Sequence, residues 1–151
     1  MVCAFTGHRK IEPEHREKIG LVLQNAISHA YDLGCRQFVA GGALGFDTLC
    51  ALTVLKLRYR GYPVKLNLLI PHRTQASAWS QMDKKIYADI LSLADKVEYV
   101  GEEYTKTCFF ERNRRLVDNS SVLISYLRKA QRVTAYTVNY AKKCGIELIN
   151  L

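Results

Sequence analysis

The chain has 151 residues, 48% of them apolar, which fits one globular domain with a real core and leaves little room for a second. Its 22 basic and 14 acidic residues give a net charge of +8, a balance that favours anionic partners such as nucleotides or nucleic acid. No apolar run approaches the roughly 18 residues of a spanning helix, so no membrane is expected as a partner, and the apolar start at residues 1–5 lacks the form of a signal peptide.

Short apolar runs alternate with longer amphipathic stretches, which predicts βαβ units and a mainly parallel sheet. Residues 2–6 read as the first strand. Pro13, between Glu12 and Glu14, suits the first turn of a helix. Its apolar positions Ile19, Val22, Leu23, Ala26, Ile27, Ala30 and Leu33 recur at helical spacing, and Gly34 stops it. A short strand at residues 37–40 runs into Gly41-Gly42. A second helix is expected over 46–60, then a strand over 64–70 closed by Pro71. A helix over 78–93, a strand over 96–100 and a loop over 101–109 follow. The remaining elements are a short helix over 110–118, a strand over 121–127, a helix over 132–143 and a closing strand over 146–151. The expected fold is a single α/β domain, residues 1–151, of Rossmann-like form with helices on both faces of the sheet.

In such a sheet, ligands bind beyond the carboxyl ends of the strands. Two glycine turns fall there, Thr6-Gly7-His8-Arg9 and Gly41-Gly42-Ala43-Leu44-Gly45-Phe46-Asp47. Glycine lets the backbone approach a phosphate, and free amides at the following helix N-terminus can bind the anion. Arg9 can neutralise a phosphate and His8 can hydrogen-bond a ribose or base. Asp47 reads equally as a helix cap or as a ligand contact. The chain has no Gly-x-Gly-x-x-Gly after its first strand, no Walker sequence and no nucleophile elbow, which argues against a dehydrogenase, a P-loop enzyme or an α/β-hydrolase. The five cysteines form no Cys-x-x-Cys pair and do not cluster with the four histidines. They read as reduced thiols of a cytoplasmic protein with no metal site.

Taken in order, Thr6-Gly7-His8-Arg9, the Gly41 to Asp47 turn, Ile70-Pro71 with Gln75 and Trp79, Glu111-Arg112-Asn113, Val117-Asp118, Thr134-Ala135-Tyr136-Thr137-Val138 and Tyr140-Ala141-Lys142-Lys143 resemble the YpsA-like branch of the SLOG superfamily. The resemblance covers essentially the whole chain. It implies a Rossmann-like fold and a nucleotide or ADP-ribose-like ligand. It also relates the chain to the DprA DNA-binding proteins and the LOG phosphoribohydrolases. The implied ligand-binding set is Thr6, Gly7, His8, Arg9, Gly41, Gly42, Ala43, Gly45, Asp47, Arg112, Asn113 and Thr134.

The chain departs from its relatives before Thr134. They carry an Asp-Gly pair and then Gly-Gly-Thr, whereas this stretch reads Leu127-Arg128-Lys129-Ala130-Gln131-Arg132-Val133-Thr134. Either Arg128, Lys129 or Arg132 replaces amide contacts with charge, or this wall of the pocket has decayed. The position of the LOG glutamate is Thr137, which has no carboxylate for glycosidic cleavage. That favours binding or sensing over hydrolysis and leaves no catalytic residue assigned. Arg112, placed with Arg114 and Arg115 in a helix's first turn, needs an anion to offset its charge there. Phe109, Phe110, Tyr126, Tyr136 and Tyr140 lie near basic clusters, a pattern that fits either core packing or stacking on single-stranded nucleic acid. The amphipathic helices and the family resemblance favour a homo-oligomer.

Overall fold

Alternation of strand and helix persists through the whole chain. The computed structural model describes residues 1–129 and 132–151. β1 (Val2–Gly7) leads through a 3-10 turn (Pro13–His15) to α1 (Ile19–Asp32), β2 (Gln37–Ala40) and α2 (Phe46–Tyr59). Then come β3 (Lys65–His72), α3 (Gln81–Leu93), β4 (Lys96–Gly101) and α4 (Cys108–Asp118). β5 (Val122–Tyr126), α5 (Arg132–Cys144) and β6 (Glu147–Asn150) complete the chain. The six strands form one sheet in the order β4-β3-β2-β1-β5-β6, and every neighbouring pair is parallel. This is a Rossmann-like α/β fold.

Strand alternation divides the core between two faces. Cys3 and Phe5 of β1 join a large cluster with Phe38, Leu66, Ile70, Leu23, Phe46 and Val54, under α1, α2 and α3. Ala4 points the other way, into a smaller cluster with Leu123, Leu116, Val117 and Ala141, under α4 and α5. Among the described residues, no helix is long and apolar enough to cross a membrane.

Several element boundaries differ from the sequence reading, each for a local reason. Pro13 opens only a 3-10 turn, because the Glu12 amide donates to the Tyr126 hydroxyl at 3.1 Å and His15 Nδ1 meets the same oxygen at 2.8 Å. Those bonds tie the segment to the sheet, and α1 starts later, at Ile19. Val22 and Leu33, assigned to its apolar face, are 41% and 42% exposed. α3 starts at Gln81 rather than 78, because the Ser80 hydroxyl accepts from the Asp83 amide at 3.1 Å and fixes the cap there. β3 runs through Pro71 to His72, past its last β2 pair, Ala40 with Leu68, where a missing N–H leaves no β2 carbonyl unpaired. α4 starts at Cys108, two residues before its expected position.

Candidate functional site

A cavity of about 500 Å³ opens at the carboxyl edge of the sheet, beyond the end of β1. The strand order reverses there: β2 lies on one side of β1 and β5 on the other. Such switch points leave a crevice between helices on opposite faces. β1 and the loop after it supply Thr6, Gly7, Arg9 and Lys10. The turn after β2 supplies Ala43, and α2 supplies Asp47. α4 supplies Phe109, Arg112 and Asn113, and the first turn of α5 supplies Val133 and Thr134. Thr6, Gly7, Arg9, Ala43, Asp47, Arg112, Asn113 and Thr134 are thus brought together, while His8, Gly41, Gly42 and Gly45 do not line the cavity.

Asp47 lies in the first turn of α2 but does not cap it. The N-cap is Gly45, and the Asp47 carboxylate reaches back, its Oδ2 accepting from the Ala43 amide at 3.2 Å. Its other oxygen, Oδ1, is buried and has no hydrogen-bond partner among the described residues. Burial pushes the Asp47 pKa above the ordinary carboxylate range, against the pull of Arg112, the Ala43 amide and Arg9.

Arg112 is almost fully buried, with 4% exposure. Its Nη1 donates to the Gly41 carbonyl at 2.6 Å, and its Nε donates to Asn113 Oδ1 at 2.5 Å. Burial lowers the guanidinium pKa, and Asp47 acts in the opposite direction. Asn113 Nδ2 donates to Thr137 Oγ1 at 2.9 Å, and that hydroxyl donates to the Val133 carbonyl at 2.9 Å. One chain of hydrogen bonds therefore runs from the turn after β2, through α4, to the first turn of α5. It occupies both ends of the Asn113 amide and both roles of the Thr137 hydroxyl, so Thr137 works as a positioning residue.

No helix N-terminus lies at Arg112, so the helix dipole gives its charge no need of an anion. Arg112 sits a full turn inside α4, away from its N-terminus. The three arginines also diverge. Arg114 lies over the Tyr140 ring at 5.3 Å, and Arg115 pairs with Glu98 at 3.2 Å. What sets Arg112 apart is its burial beside Asp47.

His8 takes a role the sequence did not suggest. Its Nε2 accepts from the amides of Arg128 at 2.9 Å and Lys129 at 3.3 Å, which places the ring proton on Nδ1. His8 thus holds the backbone at Arg128 and Lys129, in the stretch that follows β5. The side chains of Arg128 and Lys129 turn elsewhere, to the Tyr126 ring and to Glu12, and neither lines the cavity. Ala130, Gln131 and the Arg132 side chain lie outside the described residues.

The second glycine turn is less open to an anion than its composition suggests. The Ala43 amide is held by Asp47, and the Phe46 amide donates to the His8 carbonyl at 3.1 Å. A side chain at Gly42 would strike Ile70 Cδ1 at 2.5 Å, so that glycine serves packing against β3. Phe109 and Lys10 join the site without having been singled out for it. Phe109 precedes Arg112 by three residues, one helical turn, so the signal was present once α4 is known to start at Cys108. Its ring lies 5.2 Å from the Arg9 guanidinium and 5.7 Å from that of Arg112.

A family model described as the YspA SLOG family matches residues 3–147. An uncharacterised SPbeta prophage-derived protein, YoqJ, of Bacillus subtilis is 27% identical over 119 residues, covering 71% of this chain and 70% of that one. A UPF0398 protein of Halalkalibacterium halodurans is 30% identical over 117 residues, covering 73% of this chain and 60% of its own length. Among solved structures, DNA processing protein A (DprA) of Streptococcus pneumoniae superposes with a TM-score of 0.71 at 20% identity, over 98% of this chain and 49% of that one. A structure of Helicobacter pylori DNA processing protein A, described for its single-stranded DNA binding mode, gives 0.69 at 19% identity, over 99% of this chain and 64% of that one. The family match runs through every element from β1 to the start of β6, and by it the chain belongs to the YspA SLOG family.

Proposed function

We propose that the chain binds or senses a small nucleotide-type ligand in the cavity at the switch point. The observation that carries this reading is Asp47, a residue of the cavity wall whose buried Oδ1 has no hydrogen-bond partner among the described residues, with Arg9, Lys10 and Arg112 on the same wall. A buried polar atom of this kind is costly unless something satisfies it. An anion would not sit against the carboxylate, so the phosphate end belongs at Arg9, Lys10 and the first turn of α5. The Asp47 end suits a hydroxyl donor, such as that of a ribose. A molecule with an anionic group and sugar hydroxyls satisfies both ends, and a cavity of about 500 Å³ suits one.

Native mass spectrometry of freshly purified protein is expected to show a co-purified nucleotide-type molecule. Asp47→Asn should lose it, with affinity falling about tenfold or more, since a charge-assisted hydrogen bond contributes about 1.5–3 kcal/mol. The same variant has a second readout. The folded state holds the Asp47 proton more tightly than the unfolded chain does. That contribution to stability is complete below the carboxylate range and is lost as pH rises through the raised value. Asp47→Asn should flatten this fall. A ligand retained by a folded Asp47→Asn protein would remove Asp47 from the site.

A second reading has one observation in its favour. Phe110, Tyr136 and Arg114 line an open depression of about 670 Å³ between α4 and α5. Phe110 meets Tyr136 edge-on at 5.0 Å, and Tyr136 stacks on Tyr140 at 6.3 Å. Aromatic rings beside a cation are the means by which proteins hold single strands. Glu111, in the same depression, weighs against it. If a single strand binds there, its affinity should fall steeply with salt, with a log–log slope of about −0.7 per phosphate contact. Affinity that is flat in salt would exclude this reading.

A further inference from the structure

Beside the cavity described above lies a second one, of about 330 Å³, which the phosphate-and-sugar reading does not use. The two share Arg9, Ala43 and Phe109, so the Arg9–Phe109 pair stands as a partition between them. Beyond it the second cavity is lined by Leu44, Gln75, Trp79 and Tyr104. We propose that this second cavity is a subsite for a planar aromatic ring, the base of a nucleotide whose phosphate and sugar occupy the first. The proposal rests on the nucleotide reading and extends it.

Three observations converge on a ring as the occupant. Trp79, Tyr104 and Phe109 bring three aromatic surfaces to one small cavity, and Arg9 adds a cation able to sit over a π-face. Tyr104 is 61% exposed, although its ring packs against His72 at 5.7 Å and Phe109 at 6.4 Å. A large aromatic held at the rim by other rings, with its remaining surface in water, gains by covering a flat ligand. Gln75 is fixed in place: its Nε2 donates to the Gly42 carbonyl at 3.1 Å and to the Tyr87 hydroxyl at 3.2 Å. Both donors are thereby used, and the amide oxygen, which accepts no hydrogen bond among the described residues, is suited to an exocyclic amine or ring N–H. The Gly42 carbonyl also gains a role here, since it anchors the residue that edges the ring subsite.

Trp79 is the sole tryptophan of the chain and lines this cavity, so tryptophan emission has its one source there. The experiment titrates the full chain with AMP, GMP, CMP and UMP, and separately with ribose 5-phosphate, by calorimetry and by Trp79 emission. At least one nucleotide should bind and change Trp79 emission saturably. Ribose 5-phosphate should bind about tenfold more weakly, without that change. Tyr104→Ala, a change at an exposed rim position, should bring nucleotide affinity down toward that of ribose 5-phosphate and leave the latter unaltered. If nucleotides and ribose 5-phosphate bind equally and Trp79 emission does not move, the ring subsite is wrong and the phosphate-and-sugar site stands. Tyr104→Ala weakening both ligands alike would also overturn the subsite. If none of the five compounds binds, the subsite and the nucleotide reading fall together.

Discussion

Arg112→Met is expected to cost about 3–5 kcal/mol of folding stability, a large part of what a domain of this size possesses. The side chain is almost fully buried, and its guanidinium does three things at once. It donates to the Gly41 carbonyl, it donates to Asn113 Oδ1, and its charge is the strongest of the influences that favour the buried Asp47 carboxylate. Methionine fills much of the volume but leaves both acceptors without a donor, each a loss of about 1–3 kcal/mol when buried. It also strips Asp47 of the first of the influences that hold its pKa down, so Asp47 should protonate at a still higher pH. Arg112→Lys should fall between the two proteins, because one ammonium cannot meet both acceptors with the geometry of a guanidinium. Urea unfolding of the three proteins at neutral pH checks the order. A loss under about 1 kcal/mol for Arg112→Met would mean that the hydrogen-bond chain from Gly41 to Val133 is not what holds α4 against the turn after β2.

That chain explains why the site was only half legible in the sequence. Thr6, Gly7, Arg9, Ala43 and Asp47 could be placed because they follow strands, and in a parallel sheet the ends of strands converge. Arg112 and Asn113 could be named from the family resemblance, but the argument for their role depended on where α4 begins. Two extra residues at its start moved Arg112 out of the first turn and brought Phe109 onto its face. No local signal marks that start strongly, since Thr107 makes no side-chain cap to the helix backbone. The contacts of His8 were out of reach of the sequence for a different reason. Its partners, the amides of Arg128 and Lys129, lie 120 and 121 residues away, and no periodicity carries a contact of that range. The fold itself was more accessible, because six strands and five helices each carry their own pattern. Where boundaries slipped, at Pro13 and Ser80, hydrogen bonds to a side-chain hydroxyl set the observed start.

Gly45→Ala should be costly at a position outside the cavity, at about 3–5 kcal/mol. Gly45 precedes α2 with φ 77° and ψ −118°, a region that L residues enter only under strain of about 1–3 kcal/mol. Space is the second difficulty. A methyl group there would overlap the carbonyl of Arg9, which is backbone and cannot rotate aside. Forcing such an overlap adds about 1–3 kcal/mol, and the two costs arise together. Gly61→Ala separates them. Gly61 has φ 98°, but a methyl group there meets nothing within 4 Å, so it should show the conformational cost alone. The difference between the two variants measures how closely the loop after β1 is pressed onto the start of α2. The consequence reaches the site through Arg9. If the loop moves to relieve the overlap, the Arg9 guanidinium leaves its place over Phe109, and the partition between the two cavities opens. Thermal and urea unfolding of both variants read the stability term, and Trp79 emission reads the change next to the partition. Equal losses for Gly45→Ala and Gly61→Ala would show that the loop yields freely, and that the contact between Arg9 and α2 does not shape the pocket.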